Sequence, residues 1–216
     1  MNNILKKEFT ISASPITYFF ILFGLMFFLP GYPVLVSVVF VTLGIFKSFQ
    51  NYRESNDFVF SSLLPISKKD IVKGKYLFSI IIEGLGFLLM LSATLVRMTL
   101  LKDVIVYRTN ALMNTNLFTL GAGLFLFGLF NLIFIGIFFK TAYKFSPFVV
   151  YLILAFLVIG IFESLHYIPP MENINAFGFD HLLLQLVSFF TGLLSYLILT
   201  YISYRYAYHR FEKVDL

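Results

Sequence analysis

The chain has 216 residues, of which 59% are hydrophobic and only 12% are charged. Soluble domains carry about 25% charged residues, so this composition excludes an ordinary soluble protein and indicates an integral membrane protein with no room for a separate soluble domain. The net charge of +5 does not indicate nucleic-acid binding, because the basic residues cluster at the ends of apolar runs, and the lack of cysteine excludes disulfides and thiolate chemistry.

The chain begins with an amphipathic stretch over residues 1–14, which we expect to lie as a helix in the membrane interface. A first apolar span follows over Ile16–Leu29 and a second over Val34–Phe46. Both are shorter than the roughly 20 residues that cross a bilayer. Either they borrow interfacial residues at their ends or they form a re-entrant hairpin, and both routes return the chain to the side on which it started.

Four longer apolar stretches complete the pattern. The sequence therefore predicts an all-α membrane protein with six transmembrane helices and an N-terminal interfacial helix. The last four predicted spans cover about Tyr76–Val96, Leu117–Phe139, Phe148–Phe162 and Leu182–Tyr201.

The distribution of positive charge predicts the orientation. Thirteen of the sixteen basic residues fall on one side of these spans, whereas Arg97, Lys102 and Arg108 fall on the other. Because loops rich in lysine and arginine stay in the cytoplasm, we expect both termini and the polar interval 47–76 to be cytoplasmic in a multi-pass protein of the cell membrane.

The interval 47–76, between the second and third spans, is the longest polar interval between apolar runs. Pro65 should terminate any helix or strand that precedes it. Ser67 and Asp70 have the spacing of a capping box, in which the serine side chain accepts from the backbone of the first turn and the acid reaches back to the serine N–H. A helix should therefore begin at about Lys68 and, from its apolar pattern, continue into the third span.

Three polar residues lie within predicted spans. Glu83 is costly inside a membrane, so it should face the protein interior, form a pair or be protonated. Its candidate roles are lining a substrate path, coupling to protons, a structural hydrogen bond or a snorkelling contact near the cytoplasmic interface. Asn131 and Gln185 are candidates for the same path or for helix contacts. Such amides more often join helices, with a contribution of about 0.6 kcal/mol on average.

Nothing in the sequence supports catalysis by this chain. It has no phosphate-binding loop and no nucleophile-elbow motif, so any nucleotide hydrolysis must come from another chain. The acidic and histidine residues around the outer loop lack metal-ligand spacing. We therefore expect no catalytic residue, no metal and no cofactor. These loop residues are Glu163, His166, Asp180 and His181.

The stretch Ser62–Leu77, SLLPISKKDIVKGKYL, resembles the signature SLP-x-S-[RK]-x-x-I-V-x-x-K-Y between the second and third spans of small bacterial ABC type-2 transporter permeases. Tyr52, Glu54 and Asp57, the start MNNILKKEF and the six-span layout are also similar to that family. One extra leucine in the S-L-P portion departs from the pattern.

This resemblance implies that residues 1–216 form a single permease domain of an ATP-binding-cassette exporter. Such a permease pairs with a second permease, identical or homologous, and with two cytoplasmic ATP-binding subunits. Its cargo would include amphipathic peptides, toxins or antimicrobials. A cytoplasmic coupling helix in the interval 47–76 would dock on the ATPase through Leu64, Pro65, Ser67, Lys68, Lys69, Asp70, Ile71, Lys73 and Lys75.

Two other classes are also compatible with a small apolar chain. One is a substrate-capturing membrane subunit for vitamin or metal uptake, which would bind a small molecule tightly on its own. The other is a membrane-embedded enzyme, which the lack of paired catalytic residues makes the weaker alternative.

Overall fold

A computed structural model describes residues 2–55, 61, 66–141, 144–169 and 171–213 of the chain. The regular secondary structure within these residues is entirely helical, as the sequence predicted. Its architecture positions two buried polar groups, each with at least one charged side chain. They lie about two turns apart on one long helix, around Lys75 and Glu83.

The N-terminal part of the chain is sharply bent. Ala13 and Ser14 are extended and Pro15 opens the next helix, so the helical hydrogen bonding stops and restarts at this point. The segments on either side are bent by 96° and qualify as a membrane span only if the pair is taken as one broken span. The helical pieces here are α1 (Asn2–Lys7), a π-helical turn (Glu8–Ser12), α2 (Pro15–Ile21) and a 3₁₀ helix (Leu22–Phe28).

Helix α3 (Val36–Glu54) contains the predicted second span but continues well beyond it. The polar interval that the sequence places from Lys47 therefore begins within a helix, since residues 47–54 are helical. Polar side chains in this part form hydrogen bonds with the N-terminal segment: Ser48 Oγ lies 2.7 Å from Thr17 Oγ1, and Asn51 Nδ2 donates to the Ser12 carbonyl at 3.2 Å.

Helix α4 (Lys68–Thr99) begins where the sequence predicted and includes the whole third span. Its 32 residues correspond to about 48 Å at 1.5 Å per residue, whereas the hydrocarbon core of a bilayer is about 30 Å thick. One continuous rod therefore extends well beyond the thickness of the apolar layer.

The C-terminal half contains the remaining long apolar helices. Helix α9 runs ten residues past the predicted end of the last span at Tyr201, so the start of the basic tail is helical as well. The elements are α5 (Ile105–Arg108), α6 (Leu117–Phe130), a π-helical turn (Asn131–Ile135), α7 (Gly136–Thr141), α8 (Ser146–Leu165), a 3₁₀ helix (Met171–Asn175) and α9 (Leu182–Phe211).

Helices α6 and α9 approach each other closely because each has a glycine at the point where they cross, Gly121 on α6 and Gly192 on α9. A Cβ atom at Gly192 would lie 2.1 Å from the Gly121 carbonyl oxygen, a distance that real Cβ atoms do not adopt. This close crossing brings polar side chains of α9 within reach of the α6 backbone and of α4.

Aromatic side chains fill the core between α3, the second π-helical turn (Asn131–Ile135, called the π-helical turn from here on) and α8. The rings of Phe46 and Phe148 stack at 3.9 Å, and Phe134 packs edge-on against both. Helices α8 and α9, in contrast, expose long apolar faces. Such faces are stable only against lipid or another apolar surface.

Within the described residues, four segments are long and apolar enough to cross a membrane, or five if the bent N-terminal pair forms one span. Helix α3 is not among them because its second half is polar. The structure thus supports a multi-pass membrane protein, while the count of six spans stays a prediction. The four segments are Lys68–Thr99, Leu117–Lys140, Ser146–Leu165 and Leu182–Phe211.

Candidate functional site

The predicted docking stretch begins outside the described residues, since Leu64 and Pro65 both fall there. From Ser67 onward its geometry is clear. Ser67 caps α4 by accepting from the Asp70 N–H at 3.1 Å. The Asp70 carboxylate in turn accepts from the Ser67 hydroxyl at 2.6 Å, whereas the sequence predicted the Ser67 N–H as its donor. The cap explains why the helix begins at Lys68.

The first two turns of α4 present a basic surface, which we call the basic turn (Ser67, Lys68, Lys69, Asp70 and Lys73). Ser67, Lys69 and Asp70 are exposed, and Lys68 and Lys73 are half-buried. The turn lies beside the end of α9, since Lys68 Nζ donates to the Glu212 carbonyl at 3.4 Å and the Lys69 ammonium lies 5.6 Å from the Tyr208 ring.

Two residues of the predicted docking set do not belong to this accessible surface. Ile71 is buried, and Lys75 is 1% exposed and forms an ion pair with the equally buried Glu8. The Lys75 ammonium also lies 3.5 Å from the centre of the Tyr52 ring. Lys75 therefore ties α4 to the N-terminal segment, and its side chain is buried rather than presented at the surface.

The neighbouring glycine allows this arrangement. A Cβ atom at Gly74 would lie 2.6 Å from the Ile4 side chain, so the N-terminal segment packs directly on the α4 backbone. The sequence did not reveal that Lys75 is buried, because its partner Glu8 lies near the N-terminus, far from Lys75 along the chain.

About two turns further along α4, Glu83 lies in a second buried group, which we call the carboxylate cluster (Glu83, Asn131, Tyr196 and Thr200). Tyr196 OH donates to Glu83 Oε2 at 2.7 Å, and Asn131 Nδ2 donates to the same oxygen at 3.2 Å. Asn131 Nδ2 also donates to Thr200 Oγ1 at 3.0 Å. The cluster therefore joins α4, the π-helical turn and α9.

The π-helical turn has a side-chain partner of its own. The Ser203 hydroxyl donates to the Asn131 carbonyl, and a Cβ atom at Gly136 would lie 2.8 Å from Ser203 Oγ. Ser203 Oγ is also 2.6 Å from the Tyr76 hydroxyl. π-Helical turns within α-helices are frequent at functional sites. Here the turn sets the position of Asn131 beside Glu83.

Glu83 borders a cavity of about 220 Å³ between α4, α6 and α9. Apart from Glu83 and Tyr196, the wall is apolar or glycine. A Cβ atom added at Gly84 would meet nothing within 4 Å, so this part of the wall is open. The lining includes Ile80, Glu83, Gly84, Phe87, Phe127 and Tyr196.

Gln185, the third candidate, lies apart from this cluster, at the other end of α9. Its Oε1 accepts from the Leu117 N–H at 3.2 Å, and its Nε2 donates to the Asp180 carbonyl at 2.7 Å. It therefore connects the start of α9 to the start of α6. This is the helix-joining role that such amides usually have.

Sequence reasoning missed the contribution of the last span. Tyr196, Thr200 and Ser203 follow each other at intervals of four and three residues, which places them on one face of a helix. That spacing, in an otherwise apolar span, was the signal that a polar face of α9 meets a polar partner.

The comparisons with known proteins agree with the architecture. A family model described as an ABC-2 family transporter protein matches residues 3–212, nearly the whole chain. No curated protein and no solved structure matches the chain significantly. Members of this family are generally non-catalytic permeases whose ATPase is a separate subunit. The chain therefore belongs to the ABC-2 transporter family, as a multi-pass membrane permease that works with an ABC ATP-binding subunit.

Proposed function

We propose that this permease belongs to an exporter, and that the basic turn is the surface on which its ATP-binding subunit docks. The observation that carries the proposal is the continuity of α4, which runs without interruption from the exposed, serine-capped turn into an apolar span. A movement applied to the basic turn is then transmitted along a rigid helix to the membrane-spanning part.

The proposal extends to the topology and the assembly. The chain has six spans, with Pro15–Phe28 and helix α3 completing the four long segments, and residues 1–14 lie in the interface. Both termini are cytoplasmic. Two permeases, identical or homologous, associate with two ATP-binding subunits, and the cargo is amphipathic. The excess of basic residues on one side and the family membership support this arrangement.

The docking role is tested by replacing Lys68, Lys69 and Lys73 with glutamine in the full chain, co-expressed with its ATP-binding subunit. Because Lys69 is exposed and Lys68 and Lys73 are only half-buried, we expect the permease to insert and fold normally. The amount of ATP-binding subunit that co-purifies with it should fall at least about tenfold, as for loss of about 1.4 kcal/mol of binding free energy.

Replacement of Lys6, Lys140 and Lys144 with glutamine is the matched control, since these exposed lysines carry the same charge outside the basic turn. Equal loss of ATPase in both triple variants would mean that net charge, and not the docking surface, determines binding. Unchanged binding in the first triple variant would contradict the docking role outright.

The orientation can be measured directly because the chain contains no cysteine. We expect a single cysteine at Lys69 to react with a membrane-impermeant maleimide only after permeabilisation, and one at Lys102 to react in intact cells. Labelling in the opposite pattern would invert the topology and exclude docking at the basic turn.

A further inference from the structure

The carboxylate cluster contains two buried acceptor atoms without a donor. Among the described residues, neither Glu83 Oε1 nor Asn131 Oδ1 has a hydrogen-bond partner. Leaving one buried polar group unsatisfied costs about 1–3 kcal/mol, and a charged group costs more. Two acceptors together therefore indicate a place where a ligand supplies the donors.

The position of the known donors defines which atom is free. Tyr196 and Asn131 both donate to Glu83 Oε2, which holds the carboxylate in one orientation. Among the residues that the structure describes, Glu83 has no ion-pair partner. Its second oxygen is thus available to a donor, and a cation bound there would compensate the charge of the carboxylate.

The adjacent cavity determines the size and polarity of that cation. Its volume of about 220 Å³ is below the roughly 300–1,000 Å³ of pockets that enclose a drug-sized ligand. It therefore accommodates one cationic group with a short apolar stem. Ile80, Phe87 and Phe127 provide an apolar wall, and the Tyr196 ring adds an aromatic surface of the kind that attracts cations.

The hydrogen-bond geometry distinguishes between kinds of cation. A guanidinium binds carboxylates best through both oxygens at once, whereas an ammonium is a compact charge with three donors. Oε2 already accepts two hydrogen bonds, so the carboxylate offers one oxygen rather than two. This favours an ammonium, whose compact charge needs only one carboxylate oxygen.

We propose that the carboxylate cluster is a binding site for the primary ammonium group of an amphipathic cargo, with its apolar stem in the cavity beside Gly84. The inference deepens the proposed function and depends on it, because it assigns a substrate class to the same permease. It places the recognition of cargo on α4, the helix that carries the basic turn.

The test is direct binding of short probes to the purified full chain in detergent, without the ATP-binding subunit. We expect n-hexylammonium to bind saturably by isothermal titration calorimetry. n-Hexylguanidinium should bind at least about tenfold more weakly, and n-hexanol should show no saturable binding. Equal or tighter binding of hexylguanidinium, or equal binding of hexanol, would overturn the proposal.

Two variants locate the site independently. Glu83→Gln keeps an acceptor for Tyr196 and Asn131 but removes the charge, and we expect at least tenfold weaker hexylammonium binding. Gly84→Leu keeps the carboxylate but fills the cavity, with the same expected loss. Gly160→Leu is the matched control, because a side chain at this exposed α8 glycine also meets nothing within 4 Å and lies outside the cavity.

Wild-type affinity in Glu83→Gln, or in a folded Gly84→Leu variant, would place the binding elsewhere and refute the site. If either variant failed to fold, the comparison of the three probes on the natural chain would still decide. Because the assay contains no ATPase, its failure removes the cargo site and leaves the docking role of the basic turn intact. Failure of the lysine triple variant removes the docking role and leaves this binding result intact.

Discussion

Lys75 and Glu83 lie about two turns apart on the same helix, and each is 1% exposed, yet their surroundings differ. The Lys75 ammonium is paired with the Glu8 carboxylate and covered by the Tyr52 ring. Glu83 receives hydrogen bonds from two neutral side chains and has no ion-pair partner among the described residues. Within the part of the chain that the structure describes, Lys75 therefore has a countercharge and Glu83 does not.

This difference separates structural from functional burial. A buried ion pair with good geometry holds two segments in a fixed relation, and breaking it leaves an uncompensated charge. A buried carboxylate that borders a cavity and lacks a countercharge lowers stability in the absence of ligand. Such a carboxylate is typical of a functional site, where a ligand or a proton neutralises its charge.

The largest effect is expected from Lys75→Met. The variant leaves Glu8 buried without its cation, and we expect the free energy of unfolding to fall by about 3–5 kcal/mol, as for other broken buried pairs. Equilibrium unfolding in mixed micelles titrated with sodium dodecyl sulfate measures this. The double variant Glu8→Gln, Lys75→Met removes both charges and should recover most of the loss. If Lys75→Met were as stable as the natural chain, the ion pair between Lys75 and Glu8 would not contribute to stability.

The two groups also differ in what the sequence could reveal. The start of α4 was predictable because the Ser67 cap depends only on residues within one turn. The burial of Lys75 was not, because it depends on how the bent N-terminal segment folds back onto Gly74. A basic residue next to a basic turn is most simply interpreted as part of the same surface.

For Glu83, the sequence predicted an interior position from the cost of a charge in an apolar span. It also identified Asn131 but grouped it with Gln185, since all three are polar residues in apolar runs. Only the packing of α9 against α4 and the π-helical turn decides that Asn131 meets Glu83 and that Gln185 binds elsewhere. The polar face containing Tyr196 was visible in the spacing of the last span.

A smaller effect is expected from Tyr196→Phe, which removes one of the two donors to Glu83 and keeps the ring. Hydrogen bonds to charged groups contribute about 1.5–3 kcal/mol, and we expect a loss near 1.5 kcal/mol because Asn131 still donates to the same oxygen. The same unfolding titration measures it. Tyr206→Phe on the exposed side of α9 is the matched control and should change stability by less than about 0.5 kcal/mol. Equal losses in both variants would mean that the Tyr196 hydroxyl does not support the cluster.

The smallest effect comes from a single methyl group placed beside each charge. Gly84→Ala adds a Cβ that meets nothing within 4 Å, so the better helix propensity of alanine should raise the free energy of unfolding by up to about 1 kcal/mol. Gly74→Ala adds the same methyl group 2.6 Å from the Ile4 side chain, so the N-terminal segment must shift and the gain should be lost or reversed. Comparison of the two variants tests whether α4 is packed against the N-terminal segment next to Lys75 and faces open space next to Glu83. If both alanines stabilised the protein equally, the N-terminal segment would not be held against α4, and the contrast between the two buried charges would disappear.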